Sequence, residues 1–227
     1  MHNPIYCNQS AFELFVSEIG RLETNDGICN AVTAIAMHFD PRVSPQLVAL
    51  ELDDIANQIN SRVTSGSSRA LTAHLHQLLF DELGFRGDTE NFFDPKNSFL
   101  PSVLECKRGI PVTLALVYKL VAGRCGLDVS GLNTPGHFLA RLNMEDERMI
   151  VDCFCGGKLL SENEVNARII KMTGCRELAE SALIEVATHR QWVTRILANL
   201  IHTFSFQNRP EDIAAVSELY NALKVAY

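Results

Sequence analysis

The chain has 227 residues, 47% of them hydrophobic, which suits one globular domain with a substantial core, or one with a helical appendage. Its formal net charge of −7 without any Lys/Arg block argues against a nucleic-acid partner and against anionic membrane surfaces. We find no secretory signal and no run of about 18 apolar residues, and seven cysteines without framework spacing indicate a reduced, cytoplasmic protein.

Residues 1–87 predict a helical N-terminal region. Apolar residues recur at helical spacing over residues 11–22 and 28–39, and Asp26-Gly27 is the expected break between these two helices. Ser44 followed by Pro45 is typical of a helix N-terminus, so a third helix is expected from there to about residue 62. A fourth helix is expected over residues 70–83.

Residues 88–160 predict an α+β core. Pro111–Arg124 is apolar on almost every side, which indicates a buried central helix. The period then changes, and the segments 137–142 and 148–154 predict a β-hairpin that forms part of an antiparallel sheet. Residues 161–227 are expected to be a C-terminal helical region, with its last helix running from Pro210 to Tyr227.

His137 and Asp152 are predicted to share one face of that hairpin. If the turn centres on Met144-Glu145, His137 lies directly opposite Asp152, with their Cβ atoms about 4.5–5.5 Å apart. A carboxylate there can orient an imidazole, as in Cys–His–Asp and Ser–His–Asp sites. The alternative is a structural histidine whose hydrogen bond to Asp152 locks the hairpin. A register slip of one residue would separate the two side chains.

Several motifs, occurring in order, resemble those of the SirB-type transglutaminase-like family of bacteria over the stretch from about Phe12 to Leu160. The matching segments are Phe93-Asp94-Pro95-Lys96-Asn97-Ser98-Phe99-Leu100, Arg108-Gly109-Ile110-Pro111, Pro135-Gly136-His137-Phe138-Leu139 and Val151-Asp152. The resemblance implies a papain-like fold, in which a central helix begins with a nucleophilic Cys and an antiparallel sheet supplies His and then Asp. It assigns the histidine to His137, the aspartate to Asp152 and the cysteine position to Pro111.

Proline supplies no nucleophile, so the usual thiol chemistry is in question at this position. Thr113 is a candidate replacement, since the first turn of a helix favours a developing anion, although its hydroxyl can equally cap its own helix. Cys106 could reach inward as a nucleophile, or it could pack as a small core residue. The catalytic candidates are therefore His137, Asp152 and Thr113.

We predict Cys106, Asn97 and Phe138 as binding residues, and neither a metal nor a cofactor. Cys153 and Cys155 follow Asp152 as a C-x-C pair, but strand alternation should turn both away from it, which argues against zinc.

Three functions follow from these residues. The first is a non-catalytic binding or regulatory protein that holds a peptide or small amide in the His137–Asp152 cleft. The second is an acyl-transfer amidase or peptidase that uses Thr113 or Cys106. The third is an interaction module that works through its C-terminal helices. The expected partner is an unidentified protein or peptide, and we favour the first function because Pro111 stands beside a retained His–Asp pair.

Overall fold

The structure of the chain, a computed structural model, describes residues 3–64, 67–145, 147–178 and 185–225. In chain order the helices are α1 (Gln9–Ile19), α2 (Asn25–Phe39), α3 (Pro45–Arg62), α4 (Ser68–His76) with a π-helical continuation (Gln77–Glu82), α5 (Leu100–Cys106), α6 (Pro111–Arg124), α7 (Glu162–Thr173), α8 (His189–Phe206) and α9 (Pro210–Val225). The strands are β1 (Arg86–Gly87), β2 (Arg108–Gly109), β3 (Asp128–Leu132), β4 (Leu139–Asn143), β5 (Arg148–Asp152) and β6 (Lys158–Leu160). The last two residues of the predicted C-terminal helix, 226 and 227, lie outside the described residues.

Helix starts in the N-terminal region follow from the available caps. Thr24 caps α2 by accepting a hydrogen bond from the Gly27 N–H, so Asp26-Gly27 lies in the first turn of that helix. The predicted break at this dipeptide is therefore wrong. The predicted start of α3 is confirmed, with Ser44 at the N-cap and Pro45 as the first helical residue.

Helix α6 is the central element of the fold, with the bounds that the sequence predicts. Ten of its fourteen residues are buried, so the helix is enclosed on almost every side. It contacts α3, α5 and α8 as well as strands β3 and β4. The predicted α+β fold, with a buried helix on an antiparallel sheet, is confirmed.

The four-stranded antiparallel sheet has the order β3-β4-β5-β6, and the register of its central hairpin differs from the prediction. Asn143 pairs with Arg148 and Ala140 with Val151, so Asp152 comes opposite Leu139 rather than His137. The predicted turn centre is wrong by one residue, because the Met144 N–H donates to the Glu147 carbonyl oxygen and closes the turn further along the chain. Moving the turn centre by one residue moves each residue's cross-strand partner by two positions. A shift of two positions leaves every side chain on its original face, so His137 and Asp152 stay on the same side of the sheet.

One hydrophobic cluster joins residues from α1 to α9, including Phe15, Leu116, Trp192 and Leu219. A smaller cluster lies between the other face of the sheet and α7. The large cluster contains residues from all three predicted regions. The division into 1–87, 88–160 and 161–227 stays a prediction. Within the described ranges, no helix combines the length and the apolar character needed to cross a membrane.

Candidate functional site

A tight turn between β3 and β4 carries His137. The His137 N–H donates to the Thr134 carbonyl oxygen at 3.2 Å, and the Thr134 hydroxyl donates to the His137 carbonyl oxygen at 3.1 Å. Gly136 adopts φ +67°, a conformation that favours glycine. These contacts fix the backbone of His137, which carries the imidazole, two residues before β4 begins at Leu139.

Asp152 ends β5 as a fully buried carboxylate with three donors. His137 Nε2 lies 2.9 Å from its Oδ1, the Cys155 N–H donates to the same oxygen at 3.1 Å, and Arg168 Nη1 donates to Oδ2 at 3.1 Å. Burial alone would raise the pKa of Asp152, but the hydrogen bond and charge of His137, helped by Cys155, lower that pKa to about 2. Asp152 is thus ionised at neutral pH.

The ionised carboxylate determines the tautomer of His137. Because a carboxylate only accepts hydrogen bonds, Nε2 of the ring must carry the proton in this contact. In the neutral imidazole, Nδ1 is then the nitrogen with a free lone pair. This is the nitrogen that would face a nucleophile or a ligand.

Phe154 links His137 to the start of α6. Its ring lies edge-on to the imidazole, with the ring centroids 6.0 Å apart, and its carbonyl oxygen accepts from the Gly87 N–H at 2.8 Å. Gly87 pairs with Gly109, two residues before Pro111. Phe154 therefore lies between the His137 ring and the β1–β2 strand pair, whose second strand precedes the central helix.

The start of α6 offers no accessible hydroxyl. Pro111 is the first residue of the helix, and Thr113 is fully buried within it. Thr113 Oγ1 has no hydrogen-bond partner among the described residues. It therefore does not hydrogen-bond to His137 as a nucleophile would, and it does not cap its own helix, which is the alternative role. The described residues give the His137 ring one hydrogen bond, the one to Asp152.

The cysteines near the site differ from their predicted orientations. Cys106 is exposed at the last position of α5, so it fits neither of its two alternatives, an inward-reaching nucleophile or a small core residue. Cys155 does not turn away from Asp152, because β5 ends at Asp152 and a turn brings Cys155 back beside its carboxylate. Cys153 is buried. No three His, Cys, Asp or Glu side chains are grouped as metal ligands in the part of the chain that is described.

The other predicted binding residues are buried. Asn97 is 4% exposed, and its side-chain amide donates to Asp88 Oδ2 at 3.2 Å and to the Asn91 carbonyl oxygen at 2.8 Å. Phe138 is 1% exposed and packs edge-on against Trp192. Asn97 thus braces the loop before α5 and Phe138 belongs to the core, while the binding roles of both stay predictions.

Sequence reasoning missed Arg168 and Phe154, which both contact the His–Asp pair. Arg168 comes from α7, and Phe154 reaches its position through a backbone bond to Gly87. Neither contact leaves a local pattern, because both depend on how distant elements pack.

Comparison with protein families matches residues 46–198, more than half of the chain, to a family described as the transglutaminase-like superfamily. The matched stretch contains Pro111, His137, Asp152 and Arg168. The chain belongs to the transglutaminase-like superfamily. The superfamily that the sequence motifs imply is therefore confirmed, and the match extends beyond residues 88–160 in both directions.

Several curated proteins from bacteria and mammals are similar to this transglutaminase-like protein. A UPF0162 protein of Xylella fastidiosa (strain 9a5c) is 36% identical over 140 residues, covering 60% of this chain and 50% of the relative. A UPF0162 protein of Pseudomonas aeruginosa is 26% identical over 84% of this chain and 69% of the relative. F-box only protein 21 of Mus musculus is 27% identical over 56% of this chain and 21% of its own length.

The chain spans about half the length of the Xylella relatives that it matches. No solved structure matches it.

Proposed function

We propose that this transglutaminase-like protein is a non-catalytic, SirB-type member that binds a peptide or small amide in its His137–Asp152 cleft. One observation carries the proposal. A proline begins the central helix at the position that the resemblance assigns to the nucleophilic cysteine, and no described thiol or hydroxyl hydrogen-bonds to the His137 ring. Binding of a ligand needs no nucleophile; it needs only the oriented His137 imidazole and the side chains that line the cleft.

The candidate nucleophiles give little support to acyl transfer. Thr113 has no exposed surface through which a substrate could reach it. Cys106 is exposed, yet it has no described contact with His137. The thiol of Cys155 lies beside Asp152, where burial and the neighbouring carboxylate raise its pKa, so it stays protonated and weakly nucleophilic at neutral pH.

We further propose that residues 88–160 carry the cleft and that the flanking helices support it. The partner in this proposal is a peptide or protein in the cytoplasm. All seven cysteines, each within the described residues, are free thiols, which supports a reducing compartment.

The test is a turnover assay with glutamine-containing peptides, simple amides and p-nitrophenyl esters. We expect no turnover that depends on His137, so the wild-type protein and His137→Ala should give the same background rate. His202→Ala is the matched control, because His202 is exposed on α8, outside the cleft. Turnover that His137→Ala abolishes and His202→Ala retains would overturn the proposal, and Thr113→Ala and Cys106→Ala would then identify the nucleophile.

A further inference from the structure

A pocket of about 460 Å³ opens between the turn that carries His137 and helix α7. Its floor is apolar, because the buried side chains of Leu139, Val165 and Ile169 line it. Met172 closes one side by lying against Gly136, where a Cβ atom would overlap the Met172 methyl group. The volume is within the range of roughly 300–1,000 Å³ that small-ligand sites have.

The rim of this pocket is cationic. Arg168 and Lys171 stand three residues apart on α7, so they lie on the same side of the helix, and both line the pocket. Both are exposed, and the His137 ring adds a third nitrogen-bearing group. No Asp or Glu is among the described residues that line the pocket, although the chain as a whole has a net charge of −7.

The charges at the rim favour a monoanion. Asp152 lies fully buried behind it and pairs with Arg168, which offsets one of the two fixed cations. Lys171 has no ion pair among the described residues and supplies the remaining charge. A singly charged carboxylate matches this net charge better than a phosphate dianion does.

We propose that the pocket between the His137 turn and α7 binds a carboxylate that carries an apolar group, either a small free acid or the C-terminus of a polypeptide. The inference rests on the proposed binding function and replaces its broader ligand class, a peptide or small amide, with ligands that carry a free carboxylate. The carboxylate lies between Lys171 and Arg168, and the apolar group covers Leu139, Val165 and Ile169.

The guanidinium of Arg168 can donate hydrogen bonds to Asp152 and to a bound carboxylate at the same time. Its Nη1 donates to Asp152, and an arginine has five N–H donors arranged around a planar fork. The side chain is 46% exposed, so donors remain for a ligand at the mouth of the pocket. Asp152 thereby orients the guanidinium as well as the imidazole.

Isothermal titration calorimetry of the full chain tests the proposal with N-acetyl-L-leucine, N-acetyl-L-leucinamide and a hexapeptide ending in a free Leu carboxylate. We expect the free acid or the peptide to bind about tenfold or more tightly than the amide, since a charge-assisted hydrogen bond is lost in the amide. Lys171→Met should weaken binding about fivefold, as expected for loss of a partly screened charge.

Lys158→Met is the matched control. Lys158 is an exposed lysine that forms an ion pair with Glu164 and does not line the pocket. It should leave the affinity unchanged. Binding of the peptide alone would assign a chain terminus as the ligand, and binding of both probes would assign a small acid, and either result supports the proposal. Absence of binding, equal affinity for acid and amide, or an unchanged affinity in Lys171→Met would overturn it.

The two proposals fail in different ways. His137-dependent turnover would end the non-catalytic function and leave the preference for a carboxylate intact. Loss of that preference would end only the assignment of the ligand.

Discussion

At the scale of single residues, Asp152 organises the site. It is a buried carboxylate that receives hydrogen bonds from His137, Arg168 and the backbone of Cys155. These donors come from a turn, a helix and a second turn, so one side chain holds three segments together. Removing it would leave two nitrogen-bearing side chains without their acceptor.

The depressed pKa of Asp152 predicts an acid-dependent loss of stability. Its pKa falls from 3.8 to about 2 on folding, so its contribution is fully present above the unfolded pKa and is lost as pH falls from about 4 to about 2. The shift corresponds to about 2 kcal/mol in the free energy of unfolding. Urea unfolding between pH 2 and pH 7 should show this loss in the wild-type protein and not in Asp152→Asn.

Asp128→Asn is the control for that measurement, because Asp128 is an exposed carboxylate on β3. It should keep the wild-type acid profile. If Asp152→Asn also kept the wild-type profile, the buried carboxylate would not be the group that titrates.

At the scale of elements, the sequence predicts helices and faces better than registers. The bounds of α6 follow from a segment that is apolar all round and begins at Pro111. The shared face of His137 and Asp152 follows from strand alternation, which a two-pair shift does not alter. The register itself depends on the hairpin turn, and the contacts of Arg168 and Phe154 depend on packing between distant elements, so local patterns could not predict them.

Because α8 packs closely against the sheet, we predict that position 131 has no room for a side chain larger than that of glycine. A Cβ atom at Gly131 would lie 2.4 Å from the ring of Trp192, which is fully buried in α8. Gly131→Ala should therefore lower the free energy of unfolding by about 1–3 kcal/mol, the usual cost of overpacking a core. Urea denaturation measures the change.

Gly20→Ala provides the comparison, because Gly20 has φ −71° and nothing lies within 4 Å of its added Cβ. It should be neutral or stabilise the protein by about 0.4–1 kcal/mol through the unfolded state. Equal effects of the two alanines would contradict the close contact between β3 and α8.

At the scale of the whole molecule, one core buries residues from both ends of the chain. The protection of its thiols tests that arrangement. Burial raises the pKa of Cys7 to about 12 and those of Cys29 and Cys125 to about 11, which suppresses the reactive thiolate as well as access to it.

We expect a thiol reagent to label the native protein at the exposed cysteines, slowly at Cys155 because its pKa is raised, and to reach the buried ones only after unfolding. The exposed thiols are Cys106 and Cys155, and the buried ones are Cys7, Cys29, Cys125 and Cys153. Mass spectrometry of time-resolved labelling measures the order. Early labelling of the buried set would contradict a single core that spans the chain.

We propose above all that Pro111 occupies the nucleophile position of an otherwise retained His–Asp site. The most direct measurement is the pH dependence of alkylation of Pro111→Cys, followed by peptide mapping, with Cys106 as the exposed internal reference and a thermal melt to confirm folding. At the proposed nucleophile position the introduced thiol would lie at a helix N-terminus beside His137, so its alkylation midpoint should fall below about pH 7.5 and should rise when His137→Ala is added. An introduced thiol that titrates like Cys106 and ignores His137→Ala would contradict the claim.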